Sequence, residues 1–173
     1  KEFILHSLRE KISFTPQKAL LFQGTIRSNL QMGKADASDE EMQNALSFAQ
    51  ADFIEDLDEE VAQGGNNFSG GQKQRLSIAR AIIADHDFYL FDDCFSALDM
   101  NTEAKVKKNL KRLEGSSILI VSQRISTIMD ADEILVIDNG EIVDRGTHDG
   151  LLESCDIYRD IVKTQIDSME ATL

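Results

Sequence analysis

Phe68-Ser69-Gly70-Gly71-Gln72 leads directly into a stretch of helical periodicity. Two glycines let a backbone approach a ligand with no Cβ in the way. The free N–H groups and partial positive charge of a helix start suit an anion such as a phosphate, and Ser69 adds a hydroxyl. An ordinary glycine turn before a helix uses the same residues. A second segment, Phe88-Tyr89-Leu90-Phe91-Asp92-Asp93, delivers two adjacent acids at the end of an apolar run. Ligands of open α/β sheets bind at the carboxyl ends of strands. One carboxylate there can hold Mg²⁺ through waters, and its neighbour can orient or deprotonate a water. A solvated strand end is the simpler alternative. Gln17 follows another short apolar run, and its amide can reach a metal or a water, although most glutamines do neither. Ser96-Ala97-Leu98-Asp99 is a turn ending in a helix-cap residue, with capping as its alternative to any ligand role.

The elements that must position these residues are legible as patterns. Ile12–Thr15 is expected to be a short strand ended by Pro16, the only proline. Ser38 with Glu41 is a capping-box signature, and Met42, Ala45, Leu46 and Ala49 after it share one helical face. A second helix is expected over Gln72–Ile83, with Leu76, Ala79 and Ile83 on one side. Phe88–Phe91 is expected to be a strand covered on both faces. Thr102–Leu113 repeats the helical spacing through Val106, Leu110 and Leu113, and Ser117–Val121 is a second strand expected to be buried. Glu133–Ile137 and Glu141–Val143 flank Asp138-Asn139-Gly140, where Asn-Gly signals a tight hairpin. From Leu151 the tail is expected to be helical, with Thr147 as a possible cap. Short apolar runs alternating with amphipathic helices predict an α/β fold with a parallel sheet.

The bulk numbers bound the function. The chain has 173 residues, 42% hydrophobic and 28% charged, which fits one globular domain or a large part of one. Its 31 acids against 18 bases give a net charge of -13. That surface repels nucleic-acid phosphates, so no nucleic-acid partner is expected. Cys94 and Cys155 form no Cys-x-x-Cys pair and no disulfide framework, which places the chain by default in a reducing compartment. No apolar run approaches the roughly 18 residues of a bilayer span, and no signal peptide is visible. A start at Lys1 with residues that look mid-domain reads as a fragment. His6, His86 and His148 are expected to be structural or surface residues.

Taken in order, these segments resemble the nucleotide-binding domain of ABC transporters, over nearly the whole chain from about Leu8. Phe68–Gln72 with Lys73-Gln74-Arg75-Leu76 resembles the family signature, Phe88–Asp93 the Walker B strand, Pro16-Gln17 the Q-loop and Ser96–Asp99 the D-loop. The resemblance implies a P-loop NTPase-like sheet flanked by helices. It also implies a helical signature subdomain at about 27–85, with the remainder of 1–173 a RecA-like core. ATP and Mg²⁺ would be the cofactors. Asp92 and Gln17 would hold the metal. Gln17, Ser69, Gly70, Gly71, Gln72 and Asp99 would contact nucleotide, and Asp93 and Gln123 would be catalytic. Leu21 to Leu30 resembles exporters, whose motor is fused behind a membrane domain. Glu60-Val61-Ala62-Gln63-Gly64 stands where exporters carry a loop touching that domain. Arg145-Gly146-Thr147-His148 and the tail near Tyr158 resemble the same branch. The implied place is the cytoplasmic face of the cell membrane.

Three departures qualify the resemblance. No Gly-x-x-x-x-Gly-Lys-[Ser/Thr] occurs; Gly65 and Gly70 have the right separation, but Gly71 stands where the lysine belongs. In the family that phosphate loop and an adenine-stacking aromatic precede the region matched here, so their missing backbone cradle leaves the isolated chain expected to be inactive and weak for ATP. The acid after Asp92 is Asp93, where active members usually have glutamate, one methylene longer. The switch position after Ser117–Val121 is Gln123, where the family usually has histidine, and a glutamine cannot become an imidazolium. Both changes fall in one site. The pattern resembles the degenerate-site half of a heterodimeric exporter, in which two motor domains meet head to tail and the signature of each completes the other's ATP site. A non-catalytic, nucleotide-gated dimerisation module is the alternative. A soluble ABC ATPase is a lesser one, since the chain shows neither coiled-coil insertions nor basic patches. Removal of an upstream half is expected to leave an unpaired sheet edge, which invites self-association.

Overall fold

A computed structural model describes residues 5–170, as two compact units that divide between Val121 and Ser122. His6 belongs to the first helix, but its side chain lies outside the described residues.

The first unit runs α1 (Leu5–Arg9), β1 (Ile12–Thr15), β2 (Gly24–Thr25), α2 (Ile26–Gln31), α3 (Asp39–Phe48), β3 (Glu60–Val61), a 3-10 turn (Gln63–Gly65), α4 (Gly70–Ile82), β4 (Phe88–Asp92), α5 (Met100–Leu110) and β5 (Ser117–Val121). Its sheet is parallel, in the order β1-β4-β5. A second, antiparallel pair joins β2 to β3. Local chemistry starts the helices. Ser38 and Glu41 form the expected capping box at α3, and Ser69 with Gln72 forms one at α4. Met42, Ala45, Leu46 and Ala49 are buried as the spacing required. The α4 helix starts two residues before the expected Gln72 because Ser69 caps it. Asp99 likewise starts α5 at Met100, and the chain turns out of it after Leu110 rather than continuing to Leu113.

Register explains two reversals. Phe14, Leu90 and Leu119 form one cross-strand row, and Thr15, Phe91 and Ile120 the next. The Thr15–Phe91 row packs into the core on the side of α4, where the Ser13 hydroxyl donates to the Ala81 carbonyl at 2.9 Å. The alternate row does not: Phe14 is 53% and Leu119 42% exposed. β4 therefore alternates between buried and half-buried residues rather than being covered on both faces. β5, expected to be buried, has no fully buried residue. Among the described residues β5 pairs with β4 alone, and β1 and β5 are the two edges of this sheet. An apolar run specifies a strand that can be covered, and the cover must come from other elements.

The second unit comprises α6 (Ile125–Ile128), the hairpin β6 (Ile134–Asp138) and β7 (Glu141–Gly146), α7 (His148–Ser154) and α8 (Asp156–Glu170). Asn139 and Gly140 turn the hairpin with φ of 50° and 83°, the positive pair that a mirror-image turn demands. Both strands run beyond the expected ends, with a bulge between Val136 and Ile137. Thr147 caps α7 through the Gly150 amide. Ile125, Ile134, Val136, Leu151, Cys155 and Tyr158 pack as its core. Among the described residues no helix is long and apolar enough to cross a membrane.

Candidate functional site

Parallel pairing of β1 with β4 brings their carboxyl ends out side by side. Gln17 lies two residues past β1. Asp92 ends β4 and Asp93 follows it. The Gln17 Nε2 donates to Asp93 Oδ2 at 3.0 Å, so residues 76 positions apart share one polar point at the sheet's end. The Asp93 backbone is held at φ 44°. Its N–H donates to the Val121 carbonyl at 2.8 Å, and its own carbonyl accepts from the Ser96 hydroxyl at 2.8 Å. Aspartate is among the few side chains that occupy this left-handed region readily. Asp92 and Asp93 are both half-buried.

The expected phosphate grip is a real helix start. Ser69 Oγ accepts from the Gln72 N–H at 3.3 Å, and the Gln72 side-chain oxygen accepts from the Ser69 N–H at 2.8 Å. Both side chains therefore hold α4 in place, while the Ser69 hydroxyl proton stays available as a donor. Gly70 faces open space, whereas a Cβ at Gly71 would sit 3.1 Å from the Ala97 carbonyl. The glycine lets the Ser96–Asp99 turn press against the start of α4. Asp99 caps α5 by accepting from the Thr102 N–H at 3.0 Å. Hydrogen bonds from the Thr102 side chain and amide hold its carboxyl below the usual carboxylate value.

The sequence placed Gln74 in the signature-like stretch without giving it a role. Only 2% exposed, it donates Nε2 to the Pro16 carbonyl at 3.2 Å. Pro16 adjoins Gln17, so one buried amide ties α4 to the turn that carries Gln17. Its signal was a polar residue on the face carrying Ile78 and Ala81, where burial demands a partner. Gln74→Leu is expected to cost about 1 kcal/mol of stability, the worth of the hydrogen bond lost to the half-buried Pro16 carbonyl, read as a lower urea midpoint. Burial pushes the Cys94 thiol up to about 12, so it offers no thiolate nucleophile. The described cysteines are both free and buried.

Gln123 belongs to the second unit. Its side chain is exposed, while its carbonyl accepts from Gln165 Nε2 at 2.6 Å. His86 sits 3.1 Å from the Ser13 hydroxyl and His148 2.8 Å from the Tyr158 hydroxyl, both in the structural role expected. Among the described residues no three His, Cys, Asp or Glu side chains cluster as a metal cage. Adjacent carboxylates with an amide beside them fit Mg²⁺, which keeps waters and phosphate oxygens and takes only one or two carboxylates from protein.

A family model described as ABC transporter matches residues 2–96, more than half of the chain. The chain belongs to the ABC transporter family. An uncharacterized ABC transporter ATP-binding protein of Mycobacterium tuberculosis is 44% identical over 180 residues, covering 100% of this chain and 31% of that protein. A Bacillus subtilis protein named a probable multidrug resistance ABC transporter ATP-binding/permease protein is 41% identical over 169 residues, 93% of this chain and 28% of its own length. The solved structure of a bacterial Atm1-family ABC exporter with ATP bound superposes with a TM-score of 0.89 at 35% identity, over 93% of this chain and 30% of that one. The chain thus spans less than a third of the length of these relatives. This ABC chain has the nucleotide-binding-domain fold that its motifs implied, with a parallel sheet flanked by helices, and its structural neighbour is of exporter type.

Proposed function

We propose that this chain is part of the ATP-driven motor of an exporter and supplies the degenerate site of a heterodimer. The hydrogen bond from Gln17 to Asp93 carries the proposal. It couples, at the carboxyl end of a parallel sheet, the residue assigned to metal and water with the residue assigned as base. In this reading bound ATP·Mg²⁺ supplies the phosphoanhydride and the charge on which the site acts. Asp92 and Gln17 would hold the metal, Asp93 would orient the attacking water, and Gln123, by its resemblance to the switch position, would donate to the γ-phosphate. Asp93 is one methylene short of the usual base and Gln123 lacks imidazole chemistry, so this site holds ATP longer than it cleaves it. Ser69, Gly70, Gly71 and Gln72 grip the nucleotide of the partner's site, with Asp99 at the same interface. The helical subdomain at about 27–85 and the RecA-like remainder divide these roles.

Two observations support incompleteness of the site within these residues. The sequence has no Gly-x-x-x-x-Gly-Lys-[Ser/Thr], and the sheet has an open edge at β5 beside a half-exposed Phe14–Leu90–Leu119 row. A phosphate loop on a further strand and helix would serve both. One relative's name joins an ATP-binding part to a permease. By that likeness this domain works at the cytoplasmic face of a membrane, coupled to a transmembrane domain through Glu60–Gly64.

Ser69→Ala in the complete transporter tests the proposal. Loss of the cap costs about 1 kcal/mol of stability, and ATP turnover at the partner's site falls by about tenfold or more, as for a lost donor to a developing anion. Unchanged turnover with a lowered melting temperature would reduce Ser69 to a helix cap and remove the cross-dimer role. The non-catalytic reading, in which ATP only joins the dimer, is favoured by the same Asp93 and Gln123. It requires that neither site turn over in the assembled pair.

A further inference from the structure

The segment after β5 is held by the chain's last helix. Gln165 of α8 lays its amide along the backbone of residues 123–125. Its Nε2 donates to the Gln123 carbonyl at 2.6 Å, and its Oε1 accepts from the Ile125 N–H at 2.9 Å. Only one orientation of the amide satisfies both, since a flip would set oxygen against oxygen and N–H against N–H. Ile125 is the first residue of α6, whose N-cap residue Arg124 makes no side-chain cap bond. Gln165, 40 positions away, supplies the acceptor that the local sequence lacks. The segment is anchored further where the Arg124 N–H donates to the Ser122 hydroxyl at 3.0 Å and where Ile125 packs with Leu151 and Tyr158. Gln123 itself projects an exposed side chain from this fixed backbone.

We propose that Gln165 is a positioning residue for Gln123, so that α8 sets the point from which the switch side chain reaches the γ-phosphate. This rests on the assignment of Gln123 made above. A glutamine amide on a long, freely rotating side chain aims reproducibly only from a backbone that does not move, and positioning groups must be held by a supporting shell. One amide fixing both a carbonyl and a helix N–H provides that support.

The test uses the complete transporter assembled with its partner, comparing Gln165→Leu and Gln165→Glu. Two quantities are read: hydrogen exchange of the Ile125 amide, and the rate at which labelled ATP leaves this chain's own site. Leucine removes both bonds, so Ile125 exchanges faster and ATP release accelerates by about two- to tenfold, the value of one net hydrogen bond. Glutamate keeps an acceptor for the Ile125 N–H but sets an oxygen against the Gln123 carbonyl. Ile125 then stays protected while ATP release still accelerates. Wild-type release in the glutamate variant would make Gln165 a cap for α6 alone and overturn the positioning role. Unchanged Ile125 exchange in the leucine variant would overturn the clamp. If the wild-type transporter retains no ATP at this site, the assignment of Gln123 fails and the positioning role goes with it, whatever the exchange shows.

Discussion

Asp93→Glu alone leaves ATP hydrolysis at this chain's own site within about threefold of its starting rate, while adding Gln123→His raises it by about 10²–10⁴, the worth of a well-placed acid–base group. Two structural facts limit the single change. The Asp93 carboxylate is tethered to Gln17 at 3.0 Å, and its backbone sits at φ 44°. Aspartate tolerates that conformation; a glutamate there bears a cost of roughly 1–2 kcal/mol. The longer acid gains reach for the water and loses backbone comfort, and Gln123 still cannot carry charge. Histidine at 123 can, so the two substitutions together restore what neither restores alone. The measurement is single-turnover hydrolysis with the partner's own site disabled. Fast hydrolysis in the single variant would show that side-chain length at 93 was the whole defect. No gain in the double variant would remove both residues from the chemistry.

Gly71→Asp abolishes most turnover at the opposite site, by about 10²–10³, with little loss of fold stability. The two halves of this expectation come from different physics. An acid in the first turn of a helix favours that helix by about 0.3–1 kcal/mol, and α4 has no acid there now. That gain offsets much of the crowding from a Cβ only 3.1 Å from the Ala97 carbonyl. The function has no such compensation. A carboxylate would occupy the place offered to a phosphate, and loss of a donor array facing a developing anion costs about 10²–10³ in rate. The added atoms also displace the turn of Ser96–Asp99. Steady-state turnover of the assembled pair and a thermal melt read the two halves separately. A variant that melts normally and hydrolyses normally would show that the start of α4 never meets nucleotide. The phosphate role assigned to Ser69–Gln72 would then fall.

These two expectations concern different nucleotides, which is the consequence of asymmetry within one chain. In the proposed arrangement Asp93 and Gln123 would weaken the site that this chain builds, while Ser69–Gln72, free of any such departure, would serve the partner's. Gln74 ties the two regions mechanically, because it sits in the helix that begins at the signature and grips the turn that carries Gln17.

Residues that interact within three or four positions were legible without coordinates. The capping box at Ser38, the turn at Asn139-Gly140 and the cap at Thr147 all formed where their side chains specified, because a cap needs only its own first turn, whereas the box at Ser69 starts α4 two residues before the expected Gln72. The ordered motifs likewise marked the ABC family, since their identity lies in residue type and order. Tertiary structure alone decided three things. The Gln17–Asp93 hydrogen bond depends on β1 and β4 being parallel neighbours in register. The amides of Gln74 and Gln165 have partners 58 and 42 positions away, so no local pattern announces them. The exposure of β5, whose sequence is as apolar as that of a buried strand, depends on which elements lie beside it. Hydrophobicity states what a segment can tolerate. Its neighbours, brought together by long-range pairing, determine whether it is covered and where its polar partners stand.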